Sequence, residues 1–197
     1  MRPRRPAVHP SLMYADGSTV RAAREQYFAA NGFSDTTYRE KWARFKLGLL
    51  PVILPNTKSR QQALPLHDLH HIATGYDTSV VGENEISAFE LGGGCGHYAA
   101  AWLLNAGVFA MGLVLAPART YRAFIRGRHS RNLYRDGWHD SLLDLSVAEL
   151  KKRIGTTSDV RATAMDRVAF ALTVWAVTAV LCAPIVWAFA IAIALRQ

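Results

Sequence analysis

Residues 168–195 run for 28 positions without a charged side chain, and every one except Thr173, Thr178 and Pro184 is apolar. As an α-helix this run is about 42 Å long, against about 30 Å of bilayer hydrocarbon, so it can span with tilt or with a bend at Pro184. The other 169 residues offer little interior in which to hide it, and about 44% of them are apolar, as in an ordinary globular domain. The chain therefore divides into one compact helical body and a C-terminal transmembrane helix. A net charge of +8 and a half-apolar composition exclude a disordered tail. Of the two cysteines, Cys95 lies beside a glycine-rich break and Cys182 inside the apolar run, so a disulfide scaffold is excluded and a reducing compartment is indicated.

The sequence reads as all-α, in four parts. Residues 1–17 form a basic, proline-rich flexible arm without the apolar core of a secretory signal. The body spans 18–155, a polar linker 156–167, and the transmembrane tail 168–195. Within the body a first helix closes at Asn31-Gly32, and a second is expected from Thr37, with Thr37 and Glu40 at capping-box spacing, to about Leu47. Pro51 and Pro55 then exclude helix. Further helices follow in LPLHDLHHIATG, in TSVVGENEISAFELGGG and in the apolar stretch 98–116, and Ser146 with Glu149 caps a last short helix of the body. No alternating pattern is long enough for a sheet. Two short helices around a turn with Arg39, Lys41, Arg44 and Lys46 invite a helix-turn-helix reading, but the second would bury Trp42 and Phe45 and offers no base-reading face, so no nucleic acid is expected as partner.

Residues 98–116 are just long enough to cross a membrane. If they did, and the tail also did, the intervening segment, with eleven Lys and Arg between Ala118 and Arg167, would be translocated against the positive-inside rule. A single span is expected instead, with the basic flank at Lys151, Lys152, Arg153, Arg161 and Arg167, and hence the body, on the cytoplasmic side. The stretch 98–116 is then a buried or lipid-contacting helix. Tyr98, Trp102, Leu103, Leu104, Phe109 and Met111 are its candidates for lining an apolar ligand pocket, with core packing as the competing reading.

Chemistry concentrates in His67, Asp68, His71 and Glu83. Four residues bring two imidazoles onto one helical face, as in His-Glu-x-x-His metal sites. Glu83 starts the next helix, beyond the turn at Gly75, and can face back. Two histidines and a carboxylate leave a position open for water or substrate, the ligand set of a catalytic zinc, and they suit non-haem iron as well. Glu90, seven residues on, falls on the same side as Glu83. His70 is expected to face solvent, His97 to be structural, and Cys95 to carry no nucleophilic role.

The segment HDLHHIATGYDTSVVGENEISAFE resembles the signature H-D-x-x-H-x(11)-E of the ubiquinone (coenzyme Q) biosynthesis protein Coq-four family, with its Thr-Gly, Val-Gly-Glu and Phe-Glu landmarks in register. NLYRDGWHDSLLDLSVAELKKRIG is similar to the family's Asn-Leu-Tyr and Trp segment. The resemblance covers roughly residues 22–155. It implies an all-helical, membrane-associated fold, a divalent metal, zinc before iron, on His67, Asp68, His71 and Glu83, and Glu90 as a further acidic site residue. It also implies a polyprenyl lipid or prenylated quinone precursor as ligand, and other quinone-biosynthesis enzymes as partners. The reaction implied is replacement of the C1 carboxylate of a prenylated 4-hydroxybenzoate ring by hydroxyl. His139 stands where the family carries an acidic residue, and the transmembrane tail is not a usual family feature, so a divergent bacterial subgroup in the inner membrane is indicated. A non-catalytic lipid-binding scaffold and a metal-dependent lipid hydrolase are the competing functions, and the residues leave a homo-oligomer open.

Overall fold

In the computed structural model the described residues are 14–47, 50–155 and 160–194. Seven α-helices form among them: α1 (Val20–Asn31), α2 (Lys58–Thr74), α3 (Val80–Gly93), α4 (Ala99–Leu115), α5 (Pro117–Arg128), α6 (Val147–Ile154) and α7 (Ala164–Ala194). The all-α body with a long C-terminal helix is as the sequence implies. Thr19, Thr57, Ser79 and Ser146 each accept a hydrogen bond from a first-turn N–H and so start α1, α2, α3 and α6. Ser146 and Glu149 complete the capping box. Gly32, Gly75 and Gly155 close α1, α2 and α6 in the left-handed conformation that glycine adopts without cost.

The expected helix over 37–47 does not form. A 3₁₀ turn covers Asp35–Tyr38, and strand β1 (Trp42–Leu47) pairs antiparallel with β2 (Leu50–Pro55), Trp42 opposite Pro55. The sequence WARFKL alternates apolar and basic residues, a strand period, and the two prolines deny its neighbour a helix; in a two-stranded ribbon each proline can turn its missing donor to the open edge. The helix-turn-helix alternative and the absence of any sheet both fall with this correction, and Trp42 is half-exposed rather than buried. Helix α2 also starts earlier than the histidine segment suggests, at Lys58, and contains Pro65.

Both ends of the body differ from expectation as well. Residues 1–13 of the arm lie outside the described residues, but Tyr14 is buried, Asp16 pairs with Lys151 at 2.7 Å, and Val147 N–H donates to Ser18 O. The arm is thus docked onto α6 from residue 14. Part of the linker, 156–159, also lies outside the description, and α7 begins at Ala164, not 168. Thr163 and Asp166 hydrogen-bond each other's backbone N–H at 3.2 and 2.9 Å and set that start.

Helices α3 and α5 make the tightest crossing. A Cβ on Gly92 would sit 2.3 Å from Phe124 O, and one on Gly127 would sit 2.0 Å from Phe89 O. The triple glycine of 92–94 therefore serves close helix packing as well as the stop. Phe89, Phe109, Phe124, Leu66, Leu69 and Ile86 fill the core between α2, α3, α4 and α5.

Candidate metal centre

Helix α2 ends at Gly75, a short turn follows, and Ser79 starts α3, so the last two turns of α2 face the first turn of α3. His67 and His71, four residues apart, point to the same side. Glu83, in the first turn of α3, points back at both. His67 Nε2 lies 3.6 Å from Glu83 Oε2, His71 Nε2 lies 3.6 Å from Glu83 Oε1, and the two Nε2 atoms are 3.2 Å apart. A tetrahedral ion with bonds of about 2.0–2.2 Å holds its ligand atoms about 3.3–3.6 Å from one another. The trio can therefore hold a metal ion, and its ligand atoms all fall within 4.8 Å.

The other ring nitrogens make this reading specific. His67 Nδ1 donates to Glu90 Oε1 at 2.9 Å, and His71 Nδ1 donates to the carbonyl of Tyr76 at 2.9 Å. These partners are acceptors only, so both protons are assigned to Nδ1 and both Nε2 lone pairs aim at one point. Two lone pairs at 3.2 Å repel unless a proton or a cation stands between them. A carboxylate behind one imidazole and a backbone carbonyl behind the other are the outer partners that metal-binding histidines use to fix tautomer and orientation. Tyr27 of α1 stacks on the His71 ring at 5.6 Å and limits its rotation.

Glu90 is the hub behind the site. Fully buried, it accepts from His67 and, at 2.7 Å, from His70 on Oε1, and from Asn105 at 2.6 Å and Tyr134 at 3.0 Å on Oε2. Burial alone would raise its pKa, but the His67 charge and the histidine hydrogen bonds outweigh that and hold it far below the usual carboxylate range. For His67 burial opposes the charge, yet Glu90 and Glu83 push its pKa well above the ordinary value. Burial comes first for His71 too, and there it wins, so that ring is held neutral. Glu83 is lowered because its two histidines overcome burial. With no cation bound, the two carboxylates thus favour a proton on His67, which a cation binding there would displace.

His70 corrects the solvent-facing expectation: it is wholly buried, with Nδ1 on Glu90 and Nε2 accepting from the Leu133 N–H at 2.9 Å. It lies about 100° from His71 around α2, as its position requires, but α3 and residues 133–134 cover that side. Asp68 stands beside the trio. Its Oδ2 accepts from the Tyr38 hydroxyl, and burial raises its pKa to about 6 against the nearby His67 charge, that hydrogen bond and Arg24. Glu90 lies on the Glu83 side, as read, and reaches the far nitrogen of the same imidazole.

The six pocket candidates divide. Tyr98 packs beside Tyr134, and Phe109 against Phe124 of the body and Phe170 of α7, so both are buried. Trp102 and Leu103 are exposed, Leu104 and Met111 half-buried. His97 is exposed with its ring against Tyr98, and Cys95 is buried at 3.7 Å from the Glu90 carbonyl. Sequence reasoning missed the roles of His70, Asn105, Tyr134 and Tyr38. Tyr134 and His70 sat inside the two segments that carried the resemblance, whereas Asn105 signalled only as the single polar side chain of an apolar helix.

Comparison with known proteins returns no match: no family model fits the chain, and no curated protein and no solved structure is similar to it.

Proposed function

We propose that this chain is a membrane-attached, metal-binding protein of ubiquinone biosynthesis that holds a polyprenylated ring intermediate and supports its C1 decarboxylation and hydroxylation. The observation that carries the metal part is the convergence of His67, His71 and Glu83, with each histidine's second nitrogen committed to an acceptor. The resemblance of the two motif segments carries the substrate class. The ligand set suits zinc first and iron second. A bound ion would supply charge neutralisation for the ring carboxylate and the adjoining phenol oxygen. The chain's own part is to hold that ion at the α2–α3 junction. Glu90 keeps the His67 tautomer, Tyr76 O keeps that of His71, and Asp68 with Tyr38 lines the adjoining side of α2. Among the described residues one helix, over Ala164–Pro184, is long and apolar enough to cross a membrane, by length and composition. In this reading it anchors the body to the cytoplasmic face of a bacterial inner membrane, where other enzymes of the same sequence of reactions would meet it.

The test is single-turnover decarboxylation of a prenylated 4-hydroxybenzoate by purified, lipid-reconstituted protein with an added oxidant, with and without chelator. His67→Ala and Glu83→Gln should abolish product while the prenyl lipid still binds, because apolar area holds the tail and the ion holds the head. Folded, metal-replete protein that binds the lipid and forms no product would establish the non-catalytic scaffold instead. Turnover of an ester-linked lipid alone would establish the hydrolase.

A further inference from the structure

Helix α7 packs on the body through one stripe. Asp166 reaches Arg128 and His129, Phe170 meets Phe109, Tyr121 and Phe124, and Val174 and Val177 continue the same face. From Asp166 to Val177 this contact runs about 16 Å along the axis, and residues 178–184 are exposed on every side. From Thr178 to Ala194, where α7 ends, the helix runs on for about 26 Å, short of about 30 Å of hydrocarbon. The charge-free run, however, starts at Val168, alongside the packed stripe. On the outward side of that portion Met165, Val168, Leu172 and Trp175 are exposed, Trp175 at 72%.

Its packing neighbour α4 repeats the pattern. Ala99–Leu115 contains no charged residue, and its one strongly polar side chain, Asn105, turns inward to Glu90. Ala101, Asn105, Ala106, Phe109 and Gly112 face the body. Leu103 and Val114, eleven residues apart and thus on one face, are 62% and 80% exposed, with Trp102 and Leu115 beside them. A water-soluble surface rarely gathers apolar residues so densely. Charge resumes at once beyond the helix: Arg119 is held by Glu85 at 2.5 and 2.9 Å, and Arg122 is exposed in the first turns of α5, where a long cationic side chain can reach headgroups.

We propose that the outward faces of α4 and the first half of α7 form one lipid-embedded surface, so that the body is partly sunk in the bilayer with α4 at hydrocarbon depth beside the span. The occupant is lipid because the face is continuous with the helix that crosses it. The inference rests on α7 being a membrane span. It also places the metal centre one helix from lipid, since Asn105 joins the inner side of α4 to Glu90.

The chain carries its own probes: Trp102 on α4, Trp175 and Trp187 on α7, Trp42 on β1, and Trp138 beside Arg24 of α1. Full-length single-tryptophan proteins, the other four changed to Phe, are reconstituted in phosphatidylcholine vesicles with brominated acyl chains. Trp102 and Trp175 should be quenched within about twofold of Trp187, and Trp138 should be unchanged. Quenching of Trp187 without Trp102 overturns the embedded surface and leaves the span standing. No quenching of Trp187 overturns the span itself. Trp102 shielded from both brominated lipid and aqueous acrylamide means that protein covers the face, which also overturns the proposal. A second measurement avoids substitution: a lipid-soluble diazirine photolysed with the unaltered chain should label the peptides holding Leu103 and Val114, and an unlabelled α4 beside a labelled α7 has the same overturning force.

Discussion

Two regions of this molecule invert the ordinary arrangement of a soluble fold. The α2–α3 junction buries His67, His70, His71 and Glu90, whereas the α4–α7 side exposes Leu103, Val114, Leu172 and Trp175. A buried polar group costs free energy unless its hydrogen-bonding capacity is used, and Glu90 uses its own on four donors. The facing Nε2 atoms of His67 and His71 cannot do so without a proton or a cation. Exposed apolar residues gathered densely on one face, unlike scattered ones, mark a surface suited to something other than water. In the proposed reading each region is completed by something outside the chain, and the two differ in kind: a point charge would close one, an extended apolar phase the other.

The largest effect should come from the part of α7 beyond Val177. Removing residues 178–197 leaves the packing stripe through Val177 intact, so the body should still melt cooperatively while the whole population moves from carbonate-resistant to carbonate-extractable. At neutral pH it should still float with vesicles through the α4 face. A truncated protein that resists carbonate would mean that the α4 face with the retained part of α7 suffices as an integral anchor, and that the removed segment is not what holds the chain in the bilayer.

At the polar region, His67→Ala, His71→Ala or Glu83→Gln should each take zinc from near one equivalent to near none on elemental analysis. Glu90→Gln, which leaves all three ligands in place, should weaken zinc about 10–100-fold by releasing the His67 tautomer. An unchanged affinity in that variant would separate Glu90 from the metal altogether.

The pH dependence has two limbs. Because the folded pKa of Glu90 is depressed, its contribution to stability is present above the ordinary glutamate value near 4.5 and is lost as pH falls toward its lowered one. Because that of His67 is raised, its contribution is complete below 6.5 and is lost as pH rises through the elevated value. Metal binding runs the other way from the His67 limb: zinc displaces a proton, so affinity should rise by about tenfold per pH unit until His67 has titrated. Calorimetry in buffers of different ionisation enthalpy counts that proton, and a count of zero would show a site already deprotonated.

Smallest of all, Ser146→Ala should cost about 1 kcal/mol in a thermal or denaturant melt through loss of the α6 cap, and leave zinc and vesicle binding untouched. Any loss of zinc in that variant would couple the docked N-terminal segment, which bonds to Ser146 and Val147, to the metal centre.

The helical class, the ends of α1, α3 and α6, the long apolar tail and the His67, His71 and Glu83 trio were all legible in the residues, because each depends on contacts within a few positions or one turn. Period, cap, glycine stop and the four-residue histidine spacing are local facts, and local geometry carries them into the fold. The β1–β2 ribbon escaped because a short apolar-basic alternation reads equally as a mixed helix until pairing with the strand two residues further on decides it. His70 escaped for a related reason: its direction around α2 follows from the helix, but whether that direction holds water or the chain at Leu133 depends on residues 63 positions away. The same holds for α4, whose composition marks it as apolar while only its packing against α3 and α7 decides which face is core and which is bare. The sequence by itself determined the elements and the ligands that share one turn; the tertiary structure alone decided burial, since burial is a property of what lies opposite, and the chain brings that from far away.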